Sequence, residues 1–209
     1  MTSSPSESST GPVPEASWPW SDDIVLTHSQ FELSQSTVDD AEGLFEALDS
    51  EDVWVHVKGR PATVDKWREV IAAACDVGRW MWTVRQAGKI VGTSSFLDLS
   101  VVDARVEIGH TTYARSVWGS QVNPACKFLL LGWAFEEARM NRVQLKTDIR
   151  NVRSQSAIER LGATPEGVLR MYQRRHDDSI RDTAMYSVLA SEWPVIRKRL
   201  IDRLQPSLS

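Results

Sequence analysis

The chain has 209 residues, 42% of them apolar, and a formal net charge of −4 from 24 basic and 28 acidic side chains. At about 150 residues per domain that length suits one globular domain with a tail, and the apolar share supports a core and excludes disorder throughout. The acidic balance excludes the basic footprint of a duplex binder, so no nucleic-acid partner is expected. No apolar run approaches the about 18 residues of a membrane span, and the start lacks the basic and apolar regions of an export signal, so no membrane partner is expected either. Cys75 and Cys126 form no metal-type spacing with the four histidines, so no metal and no disulfide scaffold are expected, and a reducing cytoplasm is the expected location.

Residues 1–22, opening MTSSPSESSTGPVPEAS, are rich in Ser, Pro and Glu and read as a flexible tail, because they offer too little apolar area to offset ordering. A domain over 23–195 follows, and 196–209 form a C-terminal helix or tail. The domain opens with a strand in IVLTHSQFEL, then a helix behind Thr37 that aligns Leu44, Phe45 and Leu48. EDVWVHVKGRP has no clear period and reads as a loop, a candidate lid before a second helix from Thr63 to Val77. Arg79 to Gln86 and Lys89 to Leu97 flank Ala87 and Gly88 as a hairpin, and Ala104 to Tyr113 continues the alternation with Val106, Ile108 and His110 on one face.

PACKFLLLGWAFEEARM is apolar nearly all round and reads as a buried helix with Asn123 as its cap and Pro124 at its first position. Residues 142–149 form a strand, 151–162 a short helix stopped by Gly162, and Val168 to Arg175 with Arg181 to Leu189 a closing hairpin. The expected order is β α α β β β α β α β β without an internal repeat: an α/β class with a mixed sheet.

The dinucleotide, P-loop, zinc-hydrolase and nucleophile-elbow signatures are all absent. What remains is a loop, WGSQV, ahead of a buried helix, a geometry that suits an anion such as pyrophosphate, or that is simply a capped helix. Eight short motifs then stand in a shared order: EIG at 107–109, WG at 118–119, VNP at 122–124, Asn151 with Ser154, LGA at 161–163, EGVLR at 166–170, RDT at 181–183 and EWP at 192–194. In these motifs and in element order, residues 23–195 resemble the GNAT N-acetyltransferases of the RimJ/RimL-like branch.

The resemblance implies an acyl-CoA N-acyltransferase fold whose central, largely antiparallel twisted sheet is splayed at a CoA groove between 104–113 and 142–149. It implies acetyl-CoA as cosubstrate and direct attack by a primary amine, from a protein N-terminus or a small molecule. Cofactor contacts are implied at His110, Thr111, Thr112, Trp118, Gly119, Ser120, Gln121, Val122, Asn123, Asn151 and Ser154. The family's phosphate loop commonly carries glycine where this chain has Gln121, and glycine there permits positive φ and close approach of backbone to phosphate. A second reading is therefore a GNAT-shaped binding or regulatory module with impaired catalysis.

Glu107 and Ser154 are the candidate catalytic pair. Glu107 lies on the strand face opposite Val106 and Ile108, as a proton acceptor or as a cross-strand partner of Arg85 or Lys146. Ser154 shares a helix face with Ile158 and Leu161, whereas Ser156 points away; the family pattern puts a thiolate-protonating hydroxyl at Ser154, and the alternative is a serine bonded to its own backbone. Asn151 caps this helix, binds pantetheine, or does both, and Tyr113, Tyr172 and Tyr186 are alternative proton donors. Trp54, His56, Arg170 and Tyr172 are candidate walls of the acceptor site, where the acidic net charge suits a cationic amine. A second copy of the chain is the candidate macromolecular partner, through Trp18, Trp20 and EWPVIRKRL.

Overall fold

The computed structural model describes residues 15–21, 23–175 and 177–205, so 1–14 and 22 of the tail expected over 1–22 lie outside the described residues. Eight strands form one sheet in the order β1-β2-β3-β4-β5-β6-β8-β7: Val25–His28, Phe31–Gln35, Trp80–Gln86, Lys89–Ser100, Arg105–Tyr113, Arg142–Asp148, Thr164–Arg174 and Ile180–Leu189 for β1 to β8. Six helices accompany it, α1 to α6: Ala41–Leu48, Glu51–Trp54, Val64–Ala72, Val122–Gly132, Val152–Leu161 and Trp193–Leu204. All neighbours pair antiparallel except β5 with β6.

The single opening strand expected in IVLTHSQFEL is instead a hairpin. Ser29, at φ 55, turns the chain between β1 and β2, which pair from Val25 with Ser34 to His28 with Phe31. The loop expected in EDVWVHVKGRP contains the short helix α2.

Each face of the sheet has its own cover. On one, Trp82, Phe96, Val106, Ile108, Val143, Leu145, Ala184 and Tyr186 meet Ala125, Leu130 and Leu131 of α4 and Ile196 and Leu200 of α6. Fully burying one such side chain contributes about 1.5–3 kcal/mol, so this layer dominates folding. On the other face Met81 joins Leu44, Leu48, Trp67 and Ile71 of α1 and α3. The domain therefore runs on through α6, and the boundary expected after residue 195 falls inside that helix.

The tail boundary at 22 is corrected in the same way. Ser17 N–H donates to Ala138 O at 3.0 Å, and the Trp18 ring lies edge-on to Trp80, Phe96 and Trp133 at 5.0, 5.4 and 4.8 Å. Trp20 meets Trp82 at 5.0 Å. Both half-buried indoles pack against the chain's own core, because aromatic area gains more there than in water.

β5 and β6 pair only at Arg105 with Arg142, Val106 with Val143 and Glu107 with Gln144. Beyond that point β5 runs on to Tyr113 and β6 to Asp148 without pairing, and this is the expected splay. On the other side of β5 the register with β4 slips between Thr93 and Ser95, leaving His110 and Thr111 outside the ladder, with His110 at φ 45. The alternation expected through His110 therefore ends at Ile108.

Candidate active site

Register fixes which side chains meet. Leu97 pairs with Glu107, Ser95 with Gly109 and with Met81, Glu107 with Gln144, Lys146 with Met185 and Asp148 with Thr183. Directly opposed residues share a face, as do residues two apart on a strand. Glu107, Gly109, Gln144, Lys146 and Asp148 therefore line one trough on the α1–α3 face.

Glu107 is only 2% exposed. Its carboxylate accepts from Lys146 Nζ at 2.7 Å and Gln144 Nε2 at 3.3 Å. Of the two expected cross-strand partners Lys146 is the one found, since Arg85 is bound to Asp40. Although burial works against the Lys146 charge, Glu107 and then Tyr172 hold its pKa above the ordinary value. The Tyr172 ring centroid is 5.2 Å from Lys146 Nζ, which brings this residue to the same trough. Gly109 makes room for the carboxylate: a Cβ there would stand 2.8 Å from Glu107 Oε1.

At the trough's end the Arg175 guanidinium donates to both Asp148 oxygens, at 2.6 and 3.1 Å, and the Arg150 amide donates to Oδ1 at 2.9 Å. Burial alone would raise the Asp148 pKa, but these donors hold it below the ordinary value. His110 opens onto the trough; partial burial of its ring, then Arg79, Lys146 and Arg181, push it down to about 4.

A cavity of about 440 Å³ adjoins the splay, lined by Asp52, Val55, His56, Arg115, Trp118 and the start of α5 from Arg150 to Arg153. The Arg153 guanidinium stacks 3.6 Å from the Trp118 ring centroid, and Trp118 Nε1 donates to Tyr113 O at 2.9 Å. His56 links cavity to trough. Burial lowers its pKa, Asp148 opposes that, and Arg153, Arg175 and Arg150 add to it.

The turn before α4 is set by its own side chains. Gly119 sits at φ 76, and Ser120 Oγ donates to Val117 O at 2.6 Å and accepts from the Val122 amide at 3.2 Å. The helix starts two residues earlier than expected: Gln121 is the cap, and Asn123 and Pro124 lie in the first turn, where a missing proline N–H leaves nothing unpaired. Gln121 has φ −76, open to any residue, and its Nε2 donates to Arg203 O on α6 at 2.8 Å. The loop needs no glycine at 121, and the side chain is tied away from it. Val122 is buried, 1% exposed.

Asn151 Oδ1 accepts from the Ser154 amide at 3.0 Å, capping α5 as expected. The Ser154 hydroxyl has no hydrogen-bond partner among the described residues, but Ser154 and Ser156 are both half-buried, so exposure does not separate them as the facing argument expected. Thr111 Oγ1 is 2.7 Å from Ser94 Oγ and accepts from buried Lys127 Nζ at 2.8 Å, behind the bulge, and the Thr112 hydroxyl is buried without a hydrogen-bond partner among the described residues. Trp54 Nε1 donates to Leu48 O at 2.8 Å and its ring rests on Trp67, so it is part of the helical cover. Arg170 is exposed with no partner among the described residues. Tyr186 meets Gln155 and Glu159 on the opposite face.

Sequence reasoning missed Asp148, Arg175, Arg79, Arg181 and the arginines around Trp118. Part of the signal was there: Gln144, Lys146 and Asp148 are polar at every second position of β6, a polar face that period-two reading exposes.

Comparison with known proteins bears on this site. Residues 30–164 match the model of the Acetyltransferase (GNAT) domain. YdaF of Bacillus subtilis (strain 168), provisionally named a ribosomal N-acetyltransferase, is 27% identical over 147 residues, which are 67% of this chain and 78% of that one. A solved structure from T. thermophilus, provisionally assigned as an acetyltransferase, is 33% identical with TM-score 0.81, covering 89% of this chain and 100% of that one. Mycobacterium smegmatis RimJ, solved with CoA-disulfide, shares the fold at TM-score 0.73 and 19% identity, over 83% and 88% of the two chains.

Proposed function

The chain belongs to the GNAT N-acetyltransferases, and from that membership we propose that it uses acetyl-CoA to acetylate a primary amine of a peptide N-terminus or a small molecule. The observation that carries this reading is the three-pair contact of β5 with β6 beside the basic cavity. The donor set fits such a ligand: Arg115, Arg150 and Arg153 offer charge to phosphates, the α4 start offers amides, and Trp118 offers a flat apolar face. Asn151, Ser120 and His110 lie toward the opening from which the extended arm would run, whereas the Thr111 and Thr112 hydroxyls are turned into the protein. No helix among the described residues is long and apolar enough to cross a membrane.

Bound acetyl-CoA supplies an acetyl group activated on sulfur, which a neutral amine accepts. Glu107, held by Lys146 and Gln144, takes up the amine's proton directly or through water. His110, with its pKa pushed down to about 4, adds no charge near Lys146. The Ser154 hydroxyl, at the first turn of α5, holds the proton that the leaving sulfur needs. The ordinary φ of Gln121 and its bond to α6 favour this reading over an impaired module.

Two measurements test this function. Acetyl-CoA at about 100 times its dissociation constant adds roughly 2.7 kcal/mol of stability, seen as a raised melting temperature; an unmoved curve at millimolar acetyl-CoA refutes the reading. Ser154→Ala lowers turnover about 10²-fold with the melting shift retained, as loss of a general acid does, while Ser156→Ala changes it little. Equal losses from both substitutions would remove Ser154 from the proton path.

A further inference from the structure

The trough holds more positive charge than proton transfer needs. Arg79 enters at the head of β3, and its Nε donates to Ser95 Oγ at 2.9 Å. Arg181 extends from β8, with its Nε donating to Thr183 Oγ1 at 3.0 Å. Neither has a carboxylate within ion-pair distance among the described residues, because Lys146 occupies Glu107 and Arg175 forks onto Asp148. Lys146, Arg175, Arg79 and Arg181 thus face Glu107 and Asp148, while Asp98, which accepts from Gln144 Nε2 at 2.8 Å at the trough's edge, is paired with Arg105.

Ser95, which holds Arg79, pairs with Gly109, and Thr183, which holds Arg181, pairs with Asp148, so the two arginines flank the level of His110 from either side of the splay. The charges acting on His110 are those of Arg79 from β3, Lys146 from β6 and Arg181 from β8. Desolvation lowers the Arg79 pKa to about 10 and also lowers that of Arg181. Asp148 and Glu107 offset only part of the desolvation of Arg181, and Arg79 has no such offset; holding partly buried cations without a close ion-pair partner is unfavourable, and a bound anion would offset that cost. The phosphates of acetyl-CoA have their own cations at Arg115, Arg150 and Arg153, and the rest of that molecule is uncharged. The net −4 of the chain lies elsewhere, so the acidic balance that suggested a cationic acceptor does not describe this trough.

Building on the acetyltransferase reading, we propose that the acceptor is an amine bearing a carboxylate a few bonds from the reacting nitrogen, seated between Arg79 and Arg181 over His110. The same cations disfavour the ammonium form of the nitrogen, so the trough selects the carboxylate and presents the amine neutral. The carboxylate can belong to a free α-amino acid or to an acidic first side chain of a peptide.

Two matched pairs decide the matter, assayed by release of CoA thiol from the full chain: L-alanine against L-alaninamide, and amidated Asp-Ala-Ala against amidated Asn-Ala-Ala. The expected result is a kcat/KM at least about tenfold higher for the carboxylate member of one pair, as a charge-assisted hydrogen bond gives. The pair that discriminates identifies the source. Arg79→Gln and Arg181→Gln each reduce that ratio toward one, chiefly through KM, while Arg79→Lys keeps part of it and Lys89→Gln, at the exposed start of β4, keeps all of it. The melting shift with acetyl-CoA reports that each variant is folded. A ratio near or below one in both pairs, a ratio untouched by both Gln substitutions, or no turnover of any member, with that shift intact, overturns the proposal alone. No shift in the unaltered protein overturns the acetyltransferase reading and the proposal with it.

Discussion

At the scale of single residues, the position of the Glu107 carboxylate depends on an absence of atoms at Gly109. A Cβ there would meet Glu107 Oε1 and Leu97 Cδ1, both at 2.8 Å. Both are ends of side chains, so the backbone can stay while the carboxylate swings off Lys146. Gly109→Ala should therefore cut turnover about tenfold or more while acetyl-CoA still raises the melting temperature, since a small misplacement of a catalytic group is costly. Turnover close to that of the unaltered protein would mean that Glu107 serves as a charge partner only. Asp148 offers a test that needs no substrate. Its folded pKa is depressed, so its contribution to stability is complete above the unfolded value of about 3.9 and is lost as pH falls through the folded value. Arg175→Gln removes the principal donor, and its acid unfolding midpoint should move to higher pH, read by tryptophan fluorescence. An unmoved midpoint would mean that the Arg150 amide alone holds the carboxylate.

Among elements, α4 and α6 determine how the phosphate-side loop is held. Gln121 begins α4 and bonds the Arg203 carbonyl at the end of α6, so one side chain joins two helix ends. Gln121→Gly should cost about 0.5–1.5 kcal/mol for the lost bond, seen in denaturant unfolding, and leave acetyl-CoA affinity within about twofold. A large loss of affinity would place the Gln side chain on the ligand after all. The same helices show what sequence could and could not reveal. The hairpin β3–β4, the strand β6 and helix α5 were legible because their periods are clean and Asn151 and Gly162 mark the ends of α5. The start of α4 was misplaced by two residues because Asn123 and Pro124 imitate a cap and a first position, while a contact 82 residues away ties Gln121. Glu107, Ser154 and Asn151 could be named from local motifs. Arg79 and Arg181 could not, because their placement on either side of the splay depends on the order of strands in the sheet.

For the whole molecule, the sheet separates a dry face from a working one. The face under α4 and α6 carries most of the core, and the segment before β1 is packed into it, whereas the α1–α3 face leaves the splay and trough open. Ala16, Trp18 and Trp20 turn inward at every second position between exposed Glu15, Ser17 and Pro19, so the segment binds like an added strand although only the Ser17 amide bonds across to Ala138. Trp18 touches Trp80 on β3, Phe96 on β4 and Trp133 beyond α4, and so ties three elements together from the chain's N-terminal end. Trp18→Ala should lower unfolding free energy by about 3 kcal/mol, the lower end for a large aromatic because the ring is only half-buried. Its acetyl-CoA melting shift should match that of the unaltered protein, since the lost contacts lie on the face away from Glu107. A reduced shift would show that the N-terminal segment sets the β4–β5 register slip as well as sealing the core, and would bring it into the account of the site.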